Sequence, residues 1–151
     1  MRIAIGSDCA TELTEAILNE IDGRGHQRIE YGPLRRGDAA RDWPLVAAEV
    51  GRAVAEGRAD EGIVCCWTGT GVSIAANKIP GIRAALVADS ETARGARIFN
   101  HANVLALSLR STTVPVMREI LDAWFSTPVN EGEAQTEWNR EQIARIKALE
   151  R

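Results

Sequence analysis

The sequence predicts an α/β fold: a Rossmann-like three-layer sandwich with a five-stranded parallel sheet, helices on both faces and a tail helix at the C-terminus. Three observations carry this. Short apolar runs alternate with amphipathic stretches from end to end, at the spacing of strand–helix units. The run Gly62-Ile63-Val64-Cys65-Cys66 is the most completely apolar of them, as a central parallel strand covered on both faces must be. No linker, repeat or low-complexity stretch breaks the pattern, so residues 1–151 read as a single domain.

Taken in order, Ile3-Ala4-Ile5 is the first strand, ending at Gly6-Ser7-Asp8. Helical spacing follows through Leu13, Ile17, Leu18 and Ile21 and closes at Gly23-Arg24-Gly25. Arg28 to Tyr31 is a second strand ending at Gly32-Pro33, and a polar loop then runs to Asp42. Asp42 is placed to cap a helix that has Pro44 in its first turn and Val46, Ala47, Val50 and Val54 on its apolar face. After the third strand, the turn Thr68-Gly69-Thr70-Gly71 leads into a helix over Val72 to Lys78. Ile82 to Val87 is the fourth strand, Glu91 to Ile98 a helix and Asn103 to Leu107 the fifth strand. Helices over Val114 to Phe125 and Glu137 to Arg151 complete the chain.

Composition narrows the function classes. The chain has 151 residues, 45% hydrophobic and 26% charged, which supports a packed core without disulfides. A net charge of -3, with the 18 Lys and Arg scattered, argues against nucleic-acid binding. The apolar runs fall far short of a membrane span, and Met1-Arg2-Ile3-Ala4-Ile5-Gly6 reads directly into a strand rather than a leader. The expected location is cytoplasmic. Three cysteines (Cys9, Cys65, Cys66) with no CxxC make neither a disulfide framework nor a zinc site.

Ligands of open parallel α/β sheets bind beyond the carboxyl ends of the strands. Three segments belong there: Gly6-Ser7-Asp8-Cys9, Cys66-Trp67-Thr68-Gly69-Thr70-Gly71 and Leu107-Ser108-Leu109-Arg110. The glycine-rich turn offers successive backbone N–H groups to an anion, although a tight strand–helix connection explains it equally. It is not a Walker loop, and Ile74 stands where a dinucleotide fingerprint needs glycine. Side chains alternate along a strand, so Cys65 and Cys66 face opposite ways; Cys66, last in the strand and beside a helix start, is expected to be the outward, reactive one. Asp8 suits an acid/base or an N-cap, and Arg110 a phosphate or a surface ion pair. His26 reads as surface, and His101 as either ligand-facing or a satisfied turn residue. Trp43 and Trp67 fall at loop edges, where Trp67 would shape a pocket. A thiol redox role for Cys65 and Cys66 would need a resolving geometry that adjacent strand residues lack; Cys9 across the site is the remaining partner for Cys66.

These residues resemble a known family. Ile3 to Asp8, Asp42-Trp43-Pro44, Cys66 through Ala84, with its run Ser73-Ile74-Ala75-Ala76-Asn77-Lys78-Ile79-Pro80-Gly81-Ile82-Arg83-Ala84, and Ala102 to Leu107 are similar to the type B ribose-5-phosphate isomerases, a group that includes the subunits of galactose-6-phosphate isomerase. The likeness covers about four-fifths of the chain. It implies a homodimer or tetramer with active sites between subunits, no metal or other cofactor, and aldose–ketose isomerisation of a sugar phosphate through an enediolate. By resemblance Cys66 is the base, Thr68 stands beside it, Asp8 handles hydroxyl protons and the amides of Gly69, Thr70 and Gly71 hold the oxyanion. Cys9, Trp43, Trp67, Phe99, Asn100 and Arg110 join the turn as substrate-binding candidates. Val72 occupies the place of a glutamate that some relatives use.

Three departures bear on the substrate. The usual Asp-His-Ala is here Asp8-Cys9-Ala10, the ring-opening histidine before Asn100 is Phe99, and the phosphate-gripping Gly-Gly-Arg-His stretch is missing from Asn130 to Gln135. The tail from Asn139 to Glu150 instead resembles that of the galactose-6-phosphate isomerase B subunit. The expectation is therefore a small sugar phosphate other than ribose 5-phosphate, or, alternatively, a non-catalytic binder working beside a paralogous subunit.

Overall fold

The computed structural model describes residues 1–39 and 42–150. Its elements are β1 (Arg2–Ser7), α1 (Glu12–Gly23), β2 (Gln27–Tyr31), α2 (Trp43–Ala55), β3 (Glu61–Cys66), α3 (Thr70–Ala76), β4 (Ala84–Leu86), α4 (Ser90–Asn100), β5 (Val104–Ser108), α5 (Val114–Ser126) and α6 (Glu137–Ala148). Single 3₁₀ turns occupy Gly32–Leu34 and Gly132–Gln135. All strand pairings are parallel, in the order β2-β1-β3-β5-β4. The five-stranded α/β sandwich expected from the sequence is present.

The handedness of the crossovers distributes the helices. The steps β1 to β2 and β4 to β5 run one way across the sheet, and their helices α1 and α4 share one face with α5. The steps β2 to β3 and β3 to β4 run the other way and place α2 and α3 on the opposite face, as uniformly right-handed crossovers require. Ile3, Ile5, Ile63, Leu105 and Leu107 fill the first layer. The second takes the smaller Ala4, Val64, Val104 and Ala106. Strand order reverses between β1 and β3, so their carboxyl ends form the switch point where a crevice opens.

Several boundaries differ from the sequence expectation. The fourth strand is only Ala84–Leu86, because it lies at the sheet edge and pairs on one side alone; the outward N–H and C=O of Ala84 are met instead by the Asn77 amide at 2.8 and 2.9 Å. α3 begins at Thr70, not Val72, and ends at Ala76. The tail helix stops at Ala148; Arg151 and part of the polar loop before Asp42 (Ala40, Arg41) lie outside the described residues. Pro44 sits in the first turn of α2 as expected, while the Asp42 side chain makes no capping bond.

The amino end of the sheet carries a buried charge pair. Arg97 donates to Glu61 Oε1 at 2.6 Å and to the Ala102 and Thr127 carbonyls at 2.7 and 3.0 Å. Trp124 Nε1 donates to Glu61 Oε2 at 2.6 Å, and the Arg97 guanidinium lies 4.9 Å from the Trp124 ring centroid. Every strong group in this cluster has a partner, the condition under which burying it is tolerable. Among the described residues no helix is long and apolar enough to cross a membrane.

Candidate active site

β1, β3 and β5 are neighbours, and the register sets Ser7 beside Cys65 and Cys66 beside Ser108. The three chemistry-bearing segments singled out in the sequence therefore share one edge of the sheet. Cys65 packs into the α1/α4/α5 layer and Cys66 faces α2 and α3. Cys66 does not project outward as expected: it is 5% exposed and Cys65 0%. Burial, reinforced by the neighbouring Cys66 and Asp8, pushes the Cys65 thiol up to about 12, so it stays protonated and inert.

The turn after Cys66 curls sharply. Gly69 caps α3 in the left-handed region, φ 76°. A Cβ there would lie 2.6 Å from Leu86 Cδ1 and 2.9 Å from the Leu107 carbonyl carbon. Among the described residues, the N–H groups of Thr68 and Gly69 donate to no acceptor within the chain, and the amides of Thr70 and Gly71 open a helix, where intrahelical partners are lacking. The Thr68 and Thr70 hydroxyls pair at 2.7 Å. The Trp43 ring packs on Gly71, with Cε3 and Cζ3 at 3.0 Å from where a Cβ would stand. Gly69→Ala is expected to destabilise the chain by at least about 1–2 kcal/mol, the cost of a left-handed L-residue, with the backbone contact adding to it; chemical denaturation measures this.

Asp8 follows β1 at the same edge. Its structural alternative falls away, because Thr11 caps α1, with Thr14 completing a reciprocal box. Burial raises the Asp8 carboxyl above the ordinary value, against a weaker opposing pull from its own backbone N–H. Ionising it therefore costs more in the folded chain than in the unfolded one. That cost is absent at acid pH and is fully present once pH has risen through the raised folded value. Asp8→Asn is accordingly expected to melt with the wild type below the ordinary carboxylate range and above it in temperature at neutral pH. A melting difference that did not vary with pH would contradict this. Cys9 is exposed, and its N–H and C=O are both held by the Ser7 hydroxyl.

Arg110 stands at the edge as expected, its guanidinium 6.0 Å from the Trp67 ring centroid. Trp67 is 66% exposed at this edge. Phe99 and Asn100 border depressions that Cys66 does not line. They close the end of α4 and border a depression of about 880 Å³ between β4, α4 and the end of α6, and a second of about 510 Å³ against Trp138, Gln142 and Arg145. That grouping was missed in the sequence, where the only signal was a tryptophan in an otherwise polar tail. His101 is the satisfied turn residue: it caps α4 at φ 47°, and its Nε2 lies 2.8 Å from the Ala134 carbonyl oxygen. His26 lies at the far end of the sheet, against Phe125 and the N-terminus. Among the described residues no cluster of His, Cys, Asp or Glu is arranged to hold a metal ion.

This geometry can be set beside known proteins. Residues 3–141 match the Ribose/Galactose Isomerase family. The chain is 37% identical to the galactose-6-phosphate isomerase subunit LacB of Clostridium acetobutylicum, over 83% of this chain and 72% of that protein. It is 35% identical to the D-erythrulose-4-phosphate isomerase of Pectobacterium atrosepticum, over 87% of each. The structure of ribose-5-phosphate isomerase B from Clostridium thermocellum superposes with a TM-score of 0.87 at 36% identity, covering 99% of this chain and 97% of that one. Matched along most of its length in sequence and fold, the chain belongs to the ribose/galactose isomerase family.

Proposed function

We propose that the protein is an aldose–ketose isomerase that works on a small sugar phosphate through an enediolate, with Cys66 as base and with ribose 5-phosphate a poor substrate. The observation that carries this reading is the joining, at one strand edge, of a thiol at the end of β3, unpaired amides at Thr68 and Gly69, and Asp8 at the end of β1. The Cys66 thiolate takes the proton from C2 of the aldose. The electron pair left behind moves onto the carbonyl oxygen at C1, where the turn amides stabilise the negative charge, the largest expected catalytic contribution. Asp8 shuttles a proton between the two oxygens, and Cys66 returns the carbon-bound proton to C1, giving the ketose. Thr68, hydrogen bonded to Thr70, sits between base and amides as a further hydroxyl contact.

Phe99 is the reason to look beyond ribose 5-phosphate. A phenyl ring cannot move a proton and so cannot open a cyclic sugar; an imidazole acting as acid–base contributes about 10²–10⁴-fold. A four-carbon sugar 4-phosphate needs no such help, because the hydroxyl that would close a five-membered ring is esterified. Likeness to a D-erythrulose-4-phosphate isomerase supports this substrate class. Arg110 supplies the cation for the phosphate, beside Trp67, with Trp43 and Cys9 lining the remainder.

The separation of Phe99 and Asn100 from Cys66 supports an assembly of two or more copies, in which the α4 corner of one chain completes the Cys66 edge of another. The same separation, and a relative named as a subunit, also suit a paralogous partner chain. Turnover of D-erythrulose 4-phosphate, ribose 5-phosphate and galactose 6-phosphate by the purified protein, followed by NMR, tests the reading. Tetrulose phosphate is expected to be isomerised fastest. Ribose 5-phosphate turned over as well or better would overturn the substrate assignment, and inactivity on all three would favour the partner-subunit reading.

A further inference from the structure

Along an extended strand, successive carbonyls alternate between the two neighbouring strands. Cys66 obeys this: its carbonyl faces the β5 side and accepts the Leu109 N–H at 2.9 Å. The Trp67 carbonyl should then face β1. Instead it faces the β5 side as well, accepting the Ser108 hydroxyl at 2.9 Å and the Arg110 N–H at 3.0 Å. The Trp67–Thr68 peptide is therefore turned over relative to the strand pattern. In a planar trans peptide the N–H points opposite to the C=O, so the Thr68 N–H is directed away from β5, and among the described residues it donates to no acceptor.

Beside the Arg110 backbone N–H, one side chain holds this peptide over. Ser108, the last residue of β5 and 7% exposed, accepts the Ser111 N–H at 3.3 Å, which leaves its own hydrogen for the Trp67 carbonyl. The Ser108 hydroxyl hydrogen-bonds to neither Cys66 Sγ nor Asp8, and nothing in the isomerisation as described above uses it. We propose that Ser108 is a positioning residue for that reaction: by holding the Trp67–Thr68 peptide turned over, it aims the Thr68 amide at the oxygen on which negative charge develops. This rests on the isomerase reading and adds a residue outside it.

A donor that acts on developing charge stabilises the transition state more than the bound substrate, so its displacement lowers kcat and leaves KM nearly unchanged. Loss of a whole oxyanion donor costs about 10²–10³-fold; a donor misaimed rather than removed should cost about 10–100-fold. Ser108→Thr and Ser108→Val form a matched pair of equal shape that differ only in the hydroxyl. The threonine variant is expected to exceed the valine variant about 10–100-fold in kcat on D-erythrulose 4-phosphate, with KM and the pH profile alike. Equal kcat values, or a difference confined to KM, would overturn the proposal, since a space-filling role treats the two side chains the same.

Ser108→Ala, which adds no atom, guards against a pair that fails to fold. Amide NMR of that variant without substrate is expected to show the Thr68 resonance displaced and the resonances of β1 in place; an unmoved Thr68 amide would overturn the proposal. Cys66→Ala separates the two levels. If it is inactive while Ser108→Val keeps full kcat, the Ser108 role fails alone. If Cys66→Ala remains active, it is the base assignment that fails.

Discussion

Cys66→Ser is expected to lower kcat by about 10³-fold or more, at the upper end of what a general base contributes. The replacement is nearly isosteric and the site is buried, so the fold should tolerate it. A serine hydroxyl, however, is far weaker as an acid than a thiol and supplies almost no anion at neutral pH. Cys65→Ser is the control built into the chain. Cys65 lies on the opposite face of β3, held protonated by burial in the α1/α4/α5 layer. Its replacement sets a hydroxyl among apolar side chains, which costs about 1–3 kcal/mol of stability and leaves kcat of the folded protein alone. Steady-state kinetics with chemical denaturation of both variants checks the pair of outcomes. A Cys66→Ser enzyme within about tenfold of wild type would remove Cys66 from the chemistry.

Arg97→Met is expected to destabilise the protein by about 3–5 kcal/mol, as breaking a buried ion pair does by stranding the remaining charge. Here the stranded group is Glu61, which would keep only its bond from Trp124 Nε1. The Ala102 and Thr127 carbonyls lose their donor as well. Adding Glu61→Leu should recover part of the loss, since the charge goes, but not all of it, since Trp124 Nε1 is then unpaired. Glu61 opens β3 and Cys66 ends it, five residue steps or about 16 Å away. Folded Arg97→Met protein should therefore keep its kcat. A urea midpoint close to that of wild type would show that the cluster is not what holds α4 and α5 to the amino end of the sheet.

Much of this was legible in the sequence because it rests on local rules. Alternating apolar runs give strands and helices, and parallel strands place Asp8, Cys66 and Arg110 at one edge without further information. Long-range pairing was not legible. Glu61 reads as a polar residue before a strand, and only the fold brings Arg97 and Trp124 to it. Periodicity likewise does not say that β5 enters between β3 and β4, which is what sets Ser108 beside Cys66 and leaves β4 a short edge. The last residue of a strand reads as open in the sequence, whereas α2 and α3 cover Cys66. Phe99 and Asn100 join the site by resemblance alone, and within one chain they border a depression with Trp138 and Arg145. Thr11 rather than Asp8 caps α1 because the capping box pairs it with Thr14 three residues on, a spacing present in the sequence.

The most direct test of the enediolate mechanism is solvent exchange, because it reads proton abstraction from carbon whether or not net turnover follows. D-erythrulose 4-phosphate in deuterated water with the wild-type protein is expected to take up deuterium at C1, seen by NMR as loss of one of the two C1 proton signals, and Cys66→Ala should leave both intact. No deuterium at C1 with the wild-type protein, for this or any other sugar phosphate offered, would contradict an enediolate isomerase and leave a binding or partner role in its place.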